Sequence, residues 1–129
     1  MLDKTKPVLV VDDSRTMAAI LCKIARQVGF TDVDAVHDGS SALARLREIH
    51  HELLIVDWEM APMNGPDLIA AIRNDEKLSY LSVLMATSHH QNVVESLQSG
   101  SSTGANGYIL KPFSADALAL KIDGIFGTA

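Results

Sequence analysis

The residues best suited to chemistry are polar groups that end apolar runs. Leu53-Leu54-Ile55-Val56 leads straight into Asp57, and Val8-Leu9-Val10-Val11 leads into Asp12-Asp13. Two further runs, Ser82 to Ala86 and Gly107 to Leu110, end at Thr87 and Lys111. A short unbroken apolar run reads as a strand buried on both faces. Burying an unpaired carboxylate is costly, so Asp57 is expected at a strand's mouth, where a solvated crevice opens. Three carboxylates at one mouth repel each other and demand a cation. Oxygen ligands with open, water-filled positions favour Mg2+. The chemistry that fits is phosphoryl transfer. Asp57 would act as the nucleophile and form an acyl phosphate. The cation would neutralise phosphoryl charge, while the Lys111 ammonium and Thr87 hydroxyl hold the other phosphoryl oxygens. Each strand end taken alone is a weak signal, since Asp-Asp-Ser before a helix is also a capping pattern. The signal lies in their convergence on one rim. Neither a G-x-x-x-x-G-K-[ST] loop nor a G-x-G-x-x-G turn is present, so the phosphoryl donor is not expected to be a nucleotide bound by this chain.

Convergence requires elements that carry these ends to one place. Ser14 is a candidate N-cap for a helix with Met17, Ile20, Leu21, Ile24 and Val28 at helical spacing, stopped by Gly29. Val33 to Val36 reads as a short strand, His37-Asp38-Gly39 as a turn, and Ser40 as the cap of a helix containing Ala42, Leu43 and Leu46. His50-His51 follow that helix. Adjacent residues do not face one ligand on a helix, so dipole interaction or plain solvation is the expected role. Pro66 suits the first turn of a helix with Leu68, Ile69 and Ile72 on its apolar face. Ser88 to Gln91 reads as polar loop before a helix carrying Val93, Val94 and Leu97, and Ser99 to Gly104 as a small-residue connection. Lys111 precedes Pro112, where a cis bond would turn the chain sharply. Ser114 caps a last helix with Leu118, Ile122, Ile125 and Phe126 on one face. Five strands alternating with five helices imply an α/β fold, a doubly wound five-stranded parallel sheet flanked by five helices. In such a sheet the ligand site lies beyond the carboxyl ends of the strands.

Composition bounds the rest. A chain of 129 residues is expected to form a single domain over 1–129, and 47% hydrophobic with 21% charged residues is ordinary for a globular protein. A net charge of −5 argues against nucleic acid as a direct partner. Cys22 is the only cysteine, so no internal disulfide forms; helix packing in a reducing compartment is the expected setting. No apolar run approaches membrane-spanning length, and Met1 to Lys6 lacks a signal-peptide core. A cytoplasmic protein without membrane insertion is expected.

Together, Val10-Val11-Asp12-Asp13-Ser14, Val56-Asp57-Trp58, Met63-Asn64-Gly65, Met85-Ala86-Thr87 and Gly107-Tyr108-Ile109-Leu110-Lys111-Pro112-Phe113 strongly resemble the response-regulator receiver domains, especially the stand-alone, CheY-like type. The resemblance covers nearly the whole chain. It implies the flavodoxin-like strand order 2-1-3-4-5, which the residues themselves do not dictate. It also implies that Asp57 is the phosphoacceptor for a phosphohistidine on a sensor histidine kinase or histidine phosphotransfer protein. Asp13, Asp57 and the backbone carbonyl of Glu59 would then bind Mg2+ directly, with Asp12 helping through a water. Thr87 and Lys111 would contact the phosphoryl group. Tyr108 would be an aromatic switch reporting phosphorylation to a target on the face built from the fourth helix, fifth strand and fifth helix. Glu59 and His89 stand at positions resembling those that tune acyl-phosphate lifetime; solvated loop residues are the alternative reading. Ala61 stands where the family usually has proline, with Pro62 next, and Ser99 to Gly104 is longer than usual. A phosphorelay shuttle or phosphate sink is an alternative function. A haloacid-dehalogenase-type phosphohydrolase is a remote one, because Asp12-Asp13 is adjacent rather than Asp-x-Asp and no cap-sized insertion follows.

Overall fold

The structure is a computed structural model that describes residues 3–99 and 103–127, without the side chains of residues 96–99. Strands β1 (Val8–Val11), β2 (Val33–Val36), β3 (Leu53–Asp57), β4 (Ser82–Thr87) and β5 (Gly107–Leu110) alternate with helices α1 (Arg15–Val28), α2 (Gly39–Glu48), α3 (Gly65–Arg73), α4 (His90–Ser99) and α5 (Ala115–Phe126). All pairings are parallel, in the order β2-β1-β3-β4-β5. This is the doubly wound, flavodoxin-like α/β fold. No helix among the described residues is long and apolar enough to cross a membrane.

The apolar runs are unbroken because both sheet faces are covered. Val8, Val10, Leu53, Ile55, Leu84 and Ala86 pack with Leu21, Cys22 and Ala25 of α1 and Leu118 and Ile122 of α5. The alternate residues Leu9, Val11, Leu54, Val56, Val83 and Met85 pack with Ala42 and Leu46 of α2 and Leu68, Ile69 and Ile72 of α3. Each fully buried Val, Leu, Ile or Met side chain among them contributes about 1.5–3 kcal/mol. Cys22 is one of these packing residues.

The helix starts follow local hydrogen bonding. Ser14, Asn64 and Ser114 accept from the backbone N–H of Met17, Asp67 and Ala117, and Pro66 lies in the first turn of α3. Gly29 ends α1 at φ 122°, a conformation that glycine adopts without penalty. Two starts differ from expectation. Asp38, not Ser40, caps α2: its carboxylate accepts from the Ser41 N–H and hydroxyl, so the helix begins at Gly39. Helix α4 begins at His90, inside the stretch Ser88 to Gln91 expected as loop, because its first turn is polar and gives no apolar periodicity. His51 also departs from its expected role. It is 2% exposed, and its Nδ1 donates to the Ile49 carbonyl at 2.8 Å; His50 instead stacks on Tyr80 with ring centres 4.7 Å apart. The connection read over Ser99 to Gly104 lies partly outside the described residues.

Candidate functional site

Parallel pairing in this register brings the carboxyl ends of β1, β3, β4 and β5 to one rim. The chain continues the ladder past those ends. Trp58 N donates to Ala86 O and Lys111 N donates to Thr87 O, both at 2.8 Å. Asp12, Asp13, Asp57, Thr87 and Lys111 are therefore delivered from four strands to one crevice.

Asp57 is 3% exposed and Asp12 is 1% exposed. One carboxylate oxygen from each of Asp12, Asp13 and Asp57 lies within 4.8 Å of the others. Lys111 Nζ donates to Asp57 Oδ1 at 2.7 Å and stands 3.6 Å from Asp12 Oδ2. One cation thus faces a cluster of three anions. Asp12 Oδ1 accepts the Ser14 N–H, whereas the buried Oδ2 accepts no hydrogen bond among the described residues. A buried carboxylate oxygen left without a donor is what a site built for a metal ion presents before the ion is counted. The hard oxygen donors fit Mg2+. Burial pushes the Asp57 carboxyl up to about 6; the charges of Asp12 and Glu59 add to this, and Lys111 opposes it. Burial alone would lower the Lys111 ammonium, but its hydrogen bond to Asp57 and the surrounding carboxylates raise it overall.

Next to this cluster sits a second arrangement. Thr87 is fully buried, and its hydroxyl donates to Glu59 Oε1 at 2.6 Å. The same hydroxyl oxygen accepts from His89 N at 3.0 Å and Asn92 Nδ2 at 3.3 Å. Glu59 Oε1 also accepts from Ser88 N at 3.2 Å, and His89 Nε2 is 3.5 Å away. Burial works to raise the Glu59 carboxyl, but the Thr87 hydroxyl, backbone N–H groups and Lys111 outweigh it and hold it below the usual range. Glu59 is therefore a partly exposed, hydrogen-bonded neighbour of the crevice. His89 is largely exposed at its edge. Tyr108 lies one strand further out, on β5. Its hydroxyl pairs with the Thr103 hydroxyl at 2.6 Å, and its half-buried ring lies 6.2 Å from the Trp58 ring, tilted by 38°. Both proline peptides of the rim loops, Ala61–Pro62 and Lys111–Pro112, are cis. Gly65 lies close against the rim: a Cβ there would stand 2.7 Å from the Asp57 carbonyl oxygen.

Sequence reasoning did not find Ser88, Asn92 or Thr103. They are small polar loop and helix-start residues with no periodic signal, and only tertiary contact gives them partners.

The comparisons agree with this fold. Residues 8–123 match the response regulator receiver domain. The chain is 40% identical over 121 residues to the chemotaxis protein CheY of Pseudomonas aeruginosa, covering 92% of this chain and 94% of the relative. It is 39% identical over 128 residues to chemotaxis protein CheY-3 of Vibrio cholerae, covering 98% and 95%. Among solved structures, chemotaxis response regulator CheY4 of Vibrio cholerae superposes with a TM-score of 0.80 at 26% identity, covering 94% of this chain and 98% of that one. Motifs, fold and relatives lead to one conclusion: the chain belongs to the response regulator receiver family of two-component signalling, in its CheY-like form.

Proposed function

We propose that Asp57 accepts a phosphoryl group from the phosphohistidine of a sensor histidine kinase or histidine phosphotransfer protein, and that the aspartyl phosphate switches binding of a protein target. The observation that carries this reading is the Lys111–Asp57 ion pair at 2.7 Å inside a cluster whose other members, Asp12 and Asp13, lie within ligand range of Asp57. In the step, an Asp57 carboxylate oxygen attacks phosphorus. The P–N bond breaks, and its electron pair stays on the imidazole nitrogen, which takes a proton from solvent. A Mg2+ held by Asp12, Asp13, Asp57 and the Glu59 backbone carbonyl would supply charge neutralisation. Lys111 is placed to transfer its contact from the carboxylate to a phosphoryl oxygen. Thr87 reaches the phosphoryl group only by releasing Glu59, so Glu59 and its neighbour His89 tune the lifetime of the acyl phosphate.

Tyr108 then moves toward the space Thr87 vacates, and a target docks on the α4-β5-α5 face. Leu110 and Leu120 on β5 and α5, 41% and 73% exposed, give that face apolar contacts. The domain over 1–129 acts as a cytoplasmic signalling unit that contributes only to its own phosphorylation and dephosphorylation; nucleic acid is not its partner. Incubation with acetyl phosphate and Mg2+ should add one phosphoryl group, seen by intact mass and removed by hydroxylamine. Asp57→Asn should abolish the adduct; wild-type adduct levels in that variant would place the nucleophile elsewhere. Efficient return of the group from Asp57 to a histidine phosphotransfer protein would instead identify a phosphorelay shuttle or sink.

A further inference from the structure

We infer that Thr103 is a positioning residue that latches Tyr108 in its resting rotamer, so that the loop before β5 sets how readily the switch is thrown. This rests on the reading of Tyr108 as the switch. The Tyr108 ring has an apolar body and a polar tip, and such a tip needs a partner when the ring is half-buried. Here the partner is the Thr103 hydroxyl, 2.6 Å away. Thr87 does not compete for it, because its hydroxyl is engaged by Glu59, His89 and Asn92. Any movement of the Tyr108 tip toward Thr87 must therefore break the bond to Thr103.

A latch works only if its fixed side is fixed. The Gly104 carbonyl accepts from Arg73 Nε at 3.0 Å and Nη2 at 2.8 Å, which ties the residue after Thr103 to the end of α3. Arg73 Nη2 also donates to Asn106 Oδ1 at 3.0 Å, and that oxygen accepts the Val83 N–H at 2.8 Å. Gly104 has φ 89°, and a Cβ on it would stand 2.9 Å from Ile69 Cγ2, so the loop lies directly against α3. The loop segment directly after Thr103 is thus held by α3, an element that does not belong to the switch face. Tyr108 is bonded to a residue whose neighbour, Gly104, is anchored on α3.

By linkage, removing the latch must make activation easier, because the bond exists only in the resting state. Trp58 is the only tryptophan and lies beside Tyr108, so its fluorescence reports the region. Full-length protein with Mg2+ is titrated with beryllofluoride, an acyl-phosphate mimic. Thr103→Val keeps the shape and deletes the hydroxyl; it should lower the midpoint about five-fold, the factor equivalent to one ordinary hydrogen bond. Thr103→Ser should restore the wild-type midpoint, and Thr103→Val should have no further effect in a Tyr108→Phe background. A Thr103→Val midpoint equal to wild type, with Tyr108→Ala shifted, would overturn the latch and leave the switch standing. An equal shift in the Tyr108→Phe background would also overturn it, since Thr103 would then act without the tyrosine hydroxyl. If neither Thr103→Val nor Tyr108→Ala moves the midpoint, the switch reading itself fails.

Discussion

Asp57 is held between burial and like charge on one side and Lys111 on the other, and the balance leaves its carboxyl near 6. For the metal-free protein the sign follows directly. The folded state holds the proton up to about pH 6, while an unfolded aspartate loses it near 3.8. Stability should therefore fall as pH rises between those values. Asp57→Asn should stabilise the protein at pH 7 in EDTA by on the order of 1 kcal/mol, after allowance for solvent screening at the crevice mouth. Denaturant melts at pH 7 check this, and a less stable Asp57→Asn protein would contradict it. Glu59 makes a second residue-scale prediction. Its carboxylate holds Thr87 and, on the proposed reading, would place a negative charge beside the acyl phosphate. Glu59→Asn should change the self-dephosphorylation rate by at least a few-fold, on the order of 1 kcal/mol in barrier; superimposable decay curves would reduce Glu59 to a structural residue. The carboxylates and Lys111 could be read from the sequence because each interrupts an apolar strand. The Glu59–Thr87 and Thr103–Tyr108 bonds could not, because hydroxyls and loop carboxylates are common in sequences and acquire meaning only from contacts across strands.

The strands sort the site by their two-residue alternation. Asp57 continues the series Leu53 and Ile55, and Asp12 continues Val8 and Val10, on the α1 and α5 side of the sheet. Thr87 continues Val83 and Met85 on the opposite side, where Tyr108 also packs. The proposed nucleophile and the proposed switch residues thus begin on different faces, and Glu59, in the loop after β3, bonds to Thr87. This alternation was readable from the apolar runs. The helix starts at Asp38 and His90 were not, since a competing acceptor or a polar first turn leaves no pattern. Arg73 carries the clearest element-scale prediction. It donates to Ser79 O at 2.9 Å, Leu81 O at 2.6 Å, Gly104 O and Asn106 Oδ1, joining α3, the start of β4 and the loop before β5. Arg73→Ala removes these hydrogen bonds and should cost about 2–4 kcal/mol in chemical denaturation. His51, at the amino end of β3, adds a pH effect. Burial lowers its imidazole, so the fold prefers it neutral. That contribution is present above the unfolded value of 6.5 and is lost as pH falls. The stability of wild type should drop more steeply than that of His51→Gln between pH 7.5 and 5.5; parallel curves would remove the imidazole from the account.

At the scale of the whole molecule, the acidic crevice opposes folding until its charge is met. Mg2+ should raise the melting temperature by binding the folded site preferentially. Asp13→Asn should stabilise the metal-free protein and blunt that response, as scanning calorimetry with and without EDTA would show; an unchanged Mg2+ response would remove Asp13 from the ligand set. The overall architecture was open to sequence reading because strict alternation of buried strands and amphipathic helices admits few arrangements. The strand order came with the family resemblance, since no residue spacing records which strand lies beside which. That order has a consequence for how the protein is made. Asp12 and Asp57 lie in the first half of the chain, whereas Lys111 arrives with β5, an edge strand paired only to β4. A ribosome adds about 5–20 residues each second, so a nascent chain carries Asp57 for seconds before Lys111 exists. Until β5 docks, Asp57 has no ammonium partner. If Asp57 is the phosphoacceptor, a receiver still lacking β5 is expected to accept phosphoryl groups poorly, because Lys111 is not yet beside it.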